Sequence, residues 1–224
     1  YPTKHYLPSP QPADPPRVAA AAQALVQAKR PVIIAGNGVR IAQAYDQLAA
    51  LAHQLGAPVA TSASGKGVYA ETDAWALGVC GNFGQPTANA VIAEADLILA
   101  VGTRLGPADT ANENPALIDP ARQTLVQVEV EPKNASWTFP CDHVVIGDAA
   151  LALAQLSDAV KAAGAPSAAT IAERKSALDA ARGEHKFFQS CWPPPPTTPS
   201  SPWMPARTAC SRFTTSSVRV PAPC

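Results

Sequence analysis

Pro31-Val-Ile-Ile-Ala-Gly-Asn-Gly38 is a short apolar run that ends in a glycine turn, and three later segments follow the same plan. These segments are Asp96–Arg104, Thr124–Glu131 and His143–Asp148. Short β-branched runs that are separated by longer segments are typical of a parallel sheet covered by helices. Because such sheets bind ligands at the carboxyl ends of their strands, the glycines mark the expected binding edge. The sequence therefore predicts a nucleotide-binding type of domain.

The periodicity of apolar residues predicts an α/β fold of three layers, with about six parallel strands and helices on both faces of the sheet. Apolar residues at helical spacing, followed by Gly56, predict one continuous helix over 40–55. The predicted strands are 31–36, 57–61, 97–101, 124–130 and 143–146, with a small strand near 77–79. The predicted helices are 15–29, 40–55, 86–94, 149–162 and 168–186.

The composition excludes several classes of protein. Lysine plus arginine (17) equals aspartate plus glutamate (17), which argues against binding of nucleic acid through a basic surface. No apolar run approaches the ~20 residues that span a bilayer, and no signal peptide is recognisable. The five cysteines are scattered, so neither a metal site nor a disulfide framework is indicated. We expect a cytoplasmic protein that associates with neither membranes nor nucleic acid.

Two glycine turns are the first candidate binding elements. Gly36-Asn37-Gly38 follows a predicted strand, and the helix after it would offer free N–H groups to a phosphate. Because Ile41 occupies the third glycine place of a GxGxxG motif, an ordinary tight turn explains this segment equally well. Gly102-Thr103-Arg104 closes another predicted strand, where Thr103 and Arg104 are candidates for contact with phosphate or ribose. An exposed arginine at a strand end is the alternative.

Two acidic residues complete the set that the strand ends suggest. Glu129 lies near the end of its strand, where an acid can accept hydrogen bonds from ribose hydroxyls. Its alternation with Val128 and Val130 fits a solvated charge equally well. Gly147-Asp148 is typical of a helix N-cap, with contact to adenine as the functional interpretation.

No catalytic or metal-binding constellation is apparent in the sequence. The four histidines, His5, His53, His143 and His185, are isolated from one another, and no serine or cysteine has a neighbouring base. Cys80 and Cys141 are expected to be small buried residues. We therefore predict that the chain performs no chemistry unaided.

Taken together and in order, several segments resemble the central domain of thiamine-diphosphate-dependent enzymes of the acetolactate synthase type. The resemblance covers about residues 15–160. It rests on the following stretches: Arg30–Gly38, Leu55–Ser62, Gly65–Gly67, Gly78–Gly84, Ala95–Arg104, Val128–Asn134 and Ile146–Asp148. It implies a Rossmann-like sheet of the DHS-like NAD/FAD-binding type, in which some members hold FAD, some ADP and some nothing.

The resemblance also implies which residues contact a nucleotide. They are Gly36, Asn37, Gly38, Thr61, Ser62, Gly81, Asn82, Phe83, Gly102, Thr103, Arg104, Glu129, Gly147 and Asp148. The chain departs from the flavin-binding pattern at two places. Phe83 stands where acetolactate synthases carry the histidine of glycine-x-histidine-glycine, and Leu105-Gly106-Pro107 replaces an acidic pair.

The resemblance implies a parent enzyme of three domains that acts on 2-keto acids as a lyase or transferase, with thiamine diphosphate and Mg²⁺ as cofactors. The pyrimidine-binding domain would precede Tyr1 and the pyrophosphate-binding domain would follow Phe188. The parent is expected to be a homo-oligomer, and this segment alone is expected to be catalytically incomplete. The alternatives are a free-standing module that binds FAD, ADP or NAD, and a distinct NAD enzyme on a similar sheet.

The ends of the chain differ from its centre. The proline-rich residues 1–14 are typical of an interdomain linker, residues 15–164 form the predicted central domain, and 165–188 are expected to be a helical linker. Residues 189–224 carry many prolines and no acidic residue, which is typical of a disordered tail.

The genetic code offers a second explanation for the tail. The codons of Trp203-Met204-Pro205, TGG-ATG-CC, contain GAT-GCC in another frame, which encodes Asp-Ala as in the opening turn of the family's pyrophosphate domain. We therefore expect that the tail is a frameshifted read-through.

Overall fold

A computed structural model describes residues 9–184 of the chain. Within that range the chain forms one sheet of six parallel strands in the order β3-β2-β1-β4-β5-β6. The strands are β1 (Pro31–Ala35), β2 (Val59–Thr61), β3 (Ala76–Val79), β4 (Leu97–Val101), β5 (Thr124–Glu129) and β6 (His143–Ile146). The predicted α/β fold with a six-stranded parallel sheet is confirmed.

Six α-helices lie within the same described range. They are α1 (Pro15–Gln27), α2 (Asn37–Ile41), α3 (Tyr45–Leu55), α4 (Pro86–Glu94), α5 (Ala149–Ala163) and α6 (Ala168–Glu184). Helices α1 and α3 both pack on α5, whereas α4 packs on α6. The helices therefore form two layers, with the sheet between them. No described helix is long and apolar enough to cross a membrane.

The central strands are buried because helices cover both faces of the sheet. Every residue of β1 and of β4 is buried, and their registers pair Val32 with Ile98 and Ile34 with Ala100. Continuous β-branched and leucine runs are expected for strands that have no solvent-facing side. The apolar runs thus predicted these two strands to within one residue.

The predicted continuous helix over 40–55 is wrong, because the chain breaks between α2 and α3. Gln43 adopts a left-handed conformation with φ +52°, and the Ala44 N–H donates to the Val39 carbonyl at 2.9 Å. The Gln43 N–H donates to the Arg40 carbonyl at 3.1 Å, which completes a Schellman motif that ends α2. Glycine normally occupies this position, so Gln43 gave no sequence signal for the break.

Two further segments differ from the prediction. Strand β2 begins at Val59 rather than at 57, because the Ala57 N–H donates to the Ala52 carbonyl at 3.0 Å and caps α3. In the predicted linker, Ala13 is buried and exchanges two hydrogen bonds with the Gln155 side chain, at 2.8 and 3.0 Å. Residues 11–13 are therefore held against α5. The predicted tail at 189–224 and His185 lie outside the described residues.

The turns after β1 and β4 touch each other directly. A Cβ atom added to Gly38 would lie 2.6 Å from the Gly102 Cα atom, and one added to Gly36 would lie 2.4 Å from the Gly102 carbonyl oxygen. The Gly38 N–H donates to the same carbonyl at 2.9 Å. Only glycine allows this approach, and Gly102 also has a φ of +58°.

Helix α6 is fastened to the domain by one buried arginine. The guanidinium of Arg174 donates to the carbonyls of Leu55, Ala28 and Lys29, which follow or end helices α3 and α1. Leu178 is buried one turn further along the same helix. Because the last carbonyls of a helix have no partner within it, Arg174 satisfies groups that would otherwise need water.

We expect Gly38→Ala to lower the free energy of unfolding by about 1–3 kcal/mol, because the new methyl group must displace the Gly102 backbone. Urea unfolding followed by circular dichroism measures the change. Gly106→Ala is the matched control, since nothing lies within 4 Å of a Cβ at that position. Equal stability of the two variants would contradict the proposed close approach.

Arg174→Met keeps an apolar side chain but removes all three hydrogen bonds to carbonyls. We expect a loss of about 2–4 kcal/mol in the free energy of unfolding, because a hydrogen bond to a charged group contributes about 1.5–3 kcal/mol. The loss is smaller than the sum of three such bonds because water can bind the carbonyls that Arg174 leaves. Arg17→Ala is the control, because its guanidinium is exposed and lies 3.9 Å from Asp14. If Arg17→Ala loses as much stability as Arg174→Met, the proposed role of Arg174 in holding α6 against the ends of α1 and α3 is contradicted.

Candidate functional site

A cleft of about 670 Å³ opens at the carboxyl ends of β1, β4, β5 and β6. Strand β1 has β2 on one side and β4 on the other, so the strand order reverses between β1 and β4. Connections that leave neighbouring strands toward opposite faces open a crevice at this kind of position. The cleft is therefore where an open parallel sheet most often receives a ligand or another part of the protein.

The structure brings eight of the predicted contact residues to this cleft. They come from the ends of four strands, and these ends share one edge because the strands are parallel. They are Asn37, Gly38, Gly102, Thr103, Arg104, Glu129, Gly147 and Asp148.

Three predicted contacts near β1 and β2 do not line the cleft. Gly36 is buried beneath it, against the Gly102 carbonyl and Thr103. Thr61 is buried and its hydroxyl lies 3.5 Å from the Gly78 carbonyl. Ser62 is also buried, and its hydroxyl accepts the Gly65 N–H at 2.9 Å, so it stabilises a turn.

The segment after β3 is also separate from the cleft. Gly81 is buried, and its N–H donates to the Asn89 side chain at 2.9 Å. The Asn82 side chain donates to the Asn112 side chain at 3.3 Å. Phe83 is 76% exposed. These three residues therefore do not line the cleft, although the Asn82 N–H donates to the carbonyl of its lining residue Ala108 at 2.8 Å.

Two carboxylates of the cleft are already hydrogen-bonded to backbone amides. Glu129 is buried, and its Oε1 atom accepts the N–H groups of Val130 and Glu131 at 2.9 and 3.2 Å. The Oδ1 atom of Asp148 accepts the N–H groups of Ala150 and Leu151 at 2.9 and 3.2 Å, which makes it the N-cap of α5. Both acids thus neutralise backbone donors at the cleft edge.

The cleft wall includes an acid that the sequence did not reveal. Asp109 lies in the irregular connection after β4 and accepts hydrogen bonds from the Ala63 N–H at 3.2 Å and the Thr103 hydroxyl at 3.4 Å. Burial raises the pKa of Asp109 above its ordinary value, although these two hydrogen bonds oppose that effect. Asp109 therefore ties the loop after β2 to the turn after β4.

Most of the other lining residues that sequence reasoning missed lie at the ends of elements or in the connections between them. Ile41 and Ala42 reach the cleft because α2 ends at this point, and Gly106–Ala108 belong to the same connection as Asp109. Glu131 and Asn134 follow β5. Position after a strand end was the one available signal for Glu131 and Asn134, and no sequence period marked the rest.

Neither cysteine within residues 9–184 is poised to act as a thiolate nucleophile. Burial, reinforced by the nearby Asp109 carboxylate, raises the pKa of the Cys80 thiol to about 12, and burial also raises the pKa of Cys141. His53 contacts Asp73 at 2.9 Å, and Asp73 accepts the Tyr69 hydroxyl at the same distance, but these residues do not line the cleft. No group of three or more His, Cys, Asp or Glu residues in this range is arranged to hold a metal ion.

The sequence matches the family model described as "Thiamine pyrophosphate enzyme, central domain" over residues 18–156. This range contains all six strands of the sheet and the whole lining of the cleft.

Two curated relatives of the chain are much longer proteins. The chain is 35% identical over 147 residues to the acetolactate synthase large subunit of Parasynechococcus marenigrum, which covers 66% of the chain and 23% of that protein. It is 33% identical over 179 residues to the sulfoacetaldehyde acetyltransferase of Castellaniella defragrans, covering 78% of the chain and 30% of that protein. The chain thus spans less than a third of the length of these two relatives.

The fold is also found in solved structures. Benzoylformate decarboxylase from Polynucleobacter necessarius superposes with a TM-score of 0.58 at 23% identity, covering 69% of this chain and 28% of that one. The sheet, its order and the match along the sequence lead to one assignment. The chain belongs to the thiamine pyrophosphate enzyme family and contains its central domain.

Proposed function

We propose that this chain provides the central, scaffolding domain of a thiamine-diphosphate-dependent lyase or transferase that acts on 2-keto acids, and that it is catalytically incomplete alone. The observation that carries the proposal is the family match over 18–156, which coincides with the six-stranded domain. Within this domain, burial raises the pKa of both described cysteines, Cys80 and Cys141, so neither is expected to act as a nucleophile.

Thiamine diphosphate and Mg²⁺ are the cofactors of the proposed parent. The described residues do not fit the metal, because they include no cluster of His, Cys, Asp or Glu side chains that could ligate it. We therefore assign both cofactors to the pyrimidine- and pyrophosphate-binding domains of the parent, which are the partners of this chain. We further propose that the parent is a cytoplasmic homo-oligomer.

Exposed apolar side chains support contact with other domains. Ile41, Phe83 and Trp137 are 77%, 76% and 71% exposed, and all three lie in connections that leave the carboxyl ends of strands. Among the described residues, all the large exposed apolar side chains lie in such connections or in the first turn of the helix that follows. The set is Ile41, Tyr45, Phe83, Val130, Trp137 and Leu151, which we name the apolar rim. Exposed apolar patches commonly mark interaction sites.

The non-catalytic role predicts that the purified chain neither binds nor uses thiamine diphosphate. With Mg²⁺ present, we expect no change in tryptophan fluorescence up to about 1 mM thiamine diphosphate. No carbon dioxide should be released from pyruvate. Saturable binding below about 100 μM, or measurable decarboxylation by the chain alone, would contradict the proposed role.

A chimera tests the scaffolding role directly. Residues 15–164 should replace the matching segment of the sulfoacetaldehyde acetyltransferase of Castellaniella defragrans and preserve its thiamine-dependent activity to within about tenfold. The matched control carries Gly38→Ala in the inserted segment, which should lower thermal stability because the turn contact is disturbed. A chimera that folds and binds thiamine diphosphate but is inactive would contradict the proposal.

The apolar rim makes a separate prediction. Trp137→Glu in the isolated chain should change the free energy of unfolding by less than about 0.5 kcal/mol, because this side chain is largely exposed. In the chimera the same substitution should weaken domain assembly, measured as lower activity and a lower melting temperature. Ala20→Glu, at an exposed position of α1, is the control and should affect neither. Equal effects of both substitutions in the chimera would exclude a specific rim contact.

A further inference from the structure

We infer that the cleft of this chain excludes nucleotides that carry an adenosine diphosphate group, namely FAD, ADP and NAD, although the resemblance implies that some members of the family hold FAD or ADP in this domain. The inference deepens the proposed scaffolding role, on which it rests. Three features of the described residues carry it: the packing of the glycine turns, the partners of the backbone amides, and the charges of the lining.

The glycine turns are filled by the protein itself. A glycine turn binds a phosphate by leaving space for it beside the backbone. Here Gly36 and Gly38 use that space for Gly102, since added Cβ atoms would lie 2.4 and 2.6 Å from its backbone. The N–H groups of Gly36 and Gly38 donate to the carbonyls of Val101 and Gly102, both at 2.9 Å. The N–H groups of these two glycines are therefore already used within the chain, and Gly102 fills the space on the Cβ side of each.

Carboxylates of the chain occupy the next set of amides. The N-terminus of α5 would be a favourable anion site. However, Asp148 already accepts its Ala150 and Leu151 N–H groups. Glu129 likewise accepts the two N–H groups that follow β5. To bind these amides, a phosphate would have to displace the carboxylates from them. The phosphate and the displaced carboxylates, all negatively charged, would then remain close together.

The charges of the lining oppose an anion as well. Four acids line the cleft, namely Asp109, Glu129, Glu131 and Asp148, against one arginine, Arg104. Arg40 does not line the cleft, and its guanidinium is already bonded to the Asn37 side chain at 2.7 Å and to the carbonyls of Ser64 and Lys66 at 3.0 and 2.5 Å. A cleft of one charge sign with low-dielectric walls repels ligands of that sign. The lining therefore disfavours a diphosphate on electrostatic grounds too.

Thermal unfolding of the full chain tests the exclusion, because a ligand that binds the native state raises the melting temperature. FAD, ADP and NAD are each added at up to about 1 mM, at low ionic strength where charge effects are strongest. We expect no rise for any of them. The parallel variant is Arg104→Ala, which removes the one arginine of the lining.

A saturable rise in melting temperature that Arg104→Ala removes would overturn the inference. A saturable rise of equal size in both proteins would overturn it too, since the ligand would then bind without the cleft arginine, and no rise in either protein supports it. The result is distinguishable from failure of the scaffolding role. The scaffolding role is tested by the activity of the chimera. Binding of ADP to the isolated chain would contradict the exclusion but would not contradict the scaffolding role.

Discussion

The contact between the turn after β1 and the turn after β4 is the constraint on which the cleft depends. Gly36 and Gly38 touch the Gly102 backbone, and the Gly38 N–H donates to its carbonyl. This contact fixes how the two central strands end. It also determines the direction in which α2 begins after the first turn. In the same way it sets the direction in which the chain continues through Thr103 and Arg104 after the second turn. The shape of the cleft therefore follows from three positions that tolerate no side chain.

Much of the fold could be predicted because its determinants are local. The buried runs of β1 and β4 are apolar at every position, and parallel strands with helices on both faces require this pattern. The break at Gln43 could not be predicted, because its left-handed backbone arises from a Schellman motif without glycine. In the same way, Arg174 is a charged residue in a polar helix. Its burial follows from three carbonyls that lie far from it in sequence.

The site could be located from the sequence, but its chemistry could not. Glu129 and Asp148 follow strands, so their presence at one edge was predictable. Whether such an acid is free to bind a ligand depends on its hydrogen-bond partners, and both accept backbone amides. Asp109 comes from a connection without periodicity, so its role in joining the Ala63 N–H to Thr103 appeared only in the structure. A glycine in the sequence presents the same ambiguity, because the space beside its backbone can be filled by a ligand or by another turn of the same chain.

Other parts of the chain bond to the outer strand β3 and to the residue that follows β6. The carboxyl ends of the strands are then the side of the sheet that the proposed contact with other domains would use. At the outer side of β3, Arg182 of α6 donates to the Ala76 carbonyl at 2.5 Å and the Gln85 N–H donates to the Val79 carbonyl at 2.8 Å. Near β6, the Asp148 N–H donates to the Gln11 carbonyl at 2.9 Å. Two backbone carbonyls of the outer strand β3 are therefore bonded within the chain. The carboxyl ends of the strands keep the apolar rim and a cleft in which several backbone N–H groups are already bonded within the chain. This surface supports the proposed contact between domains.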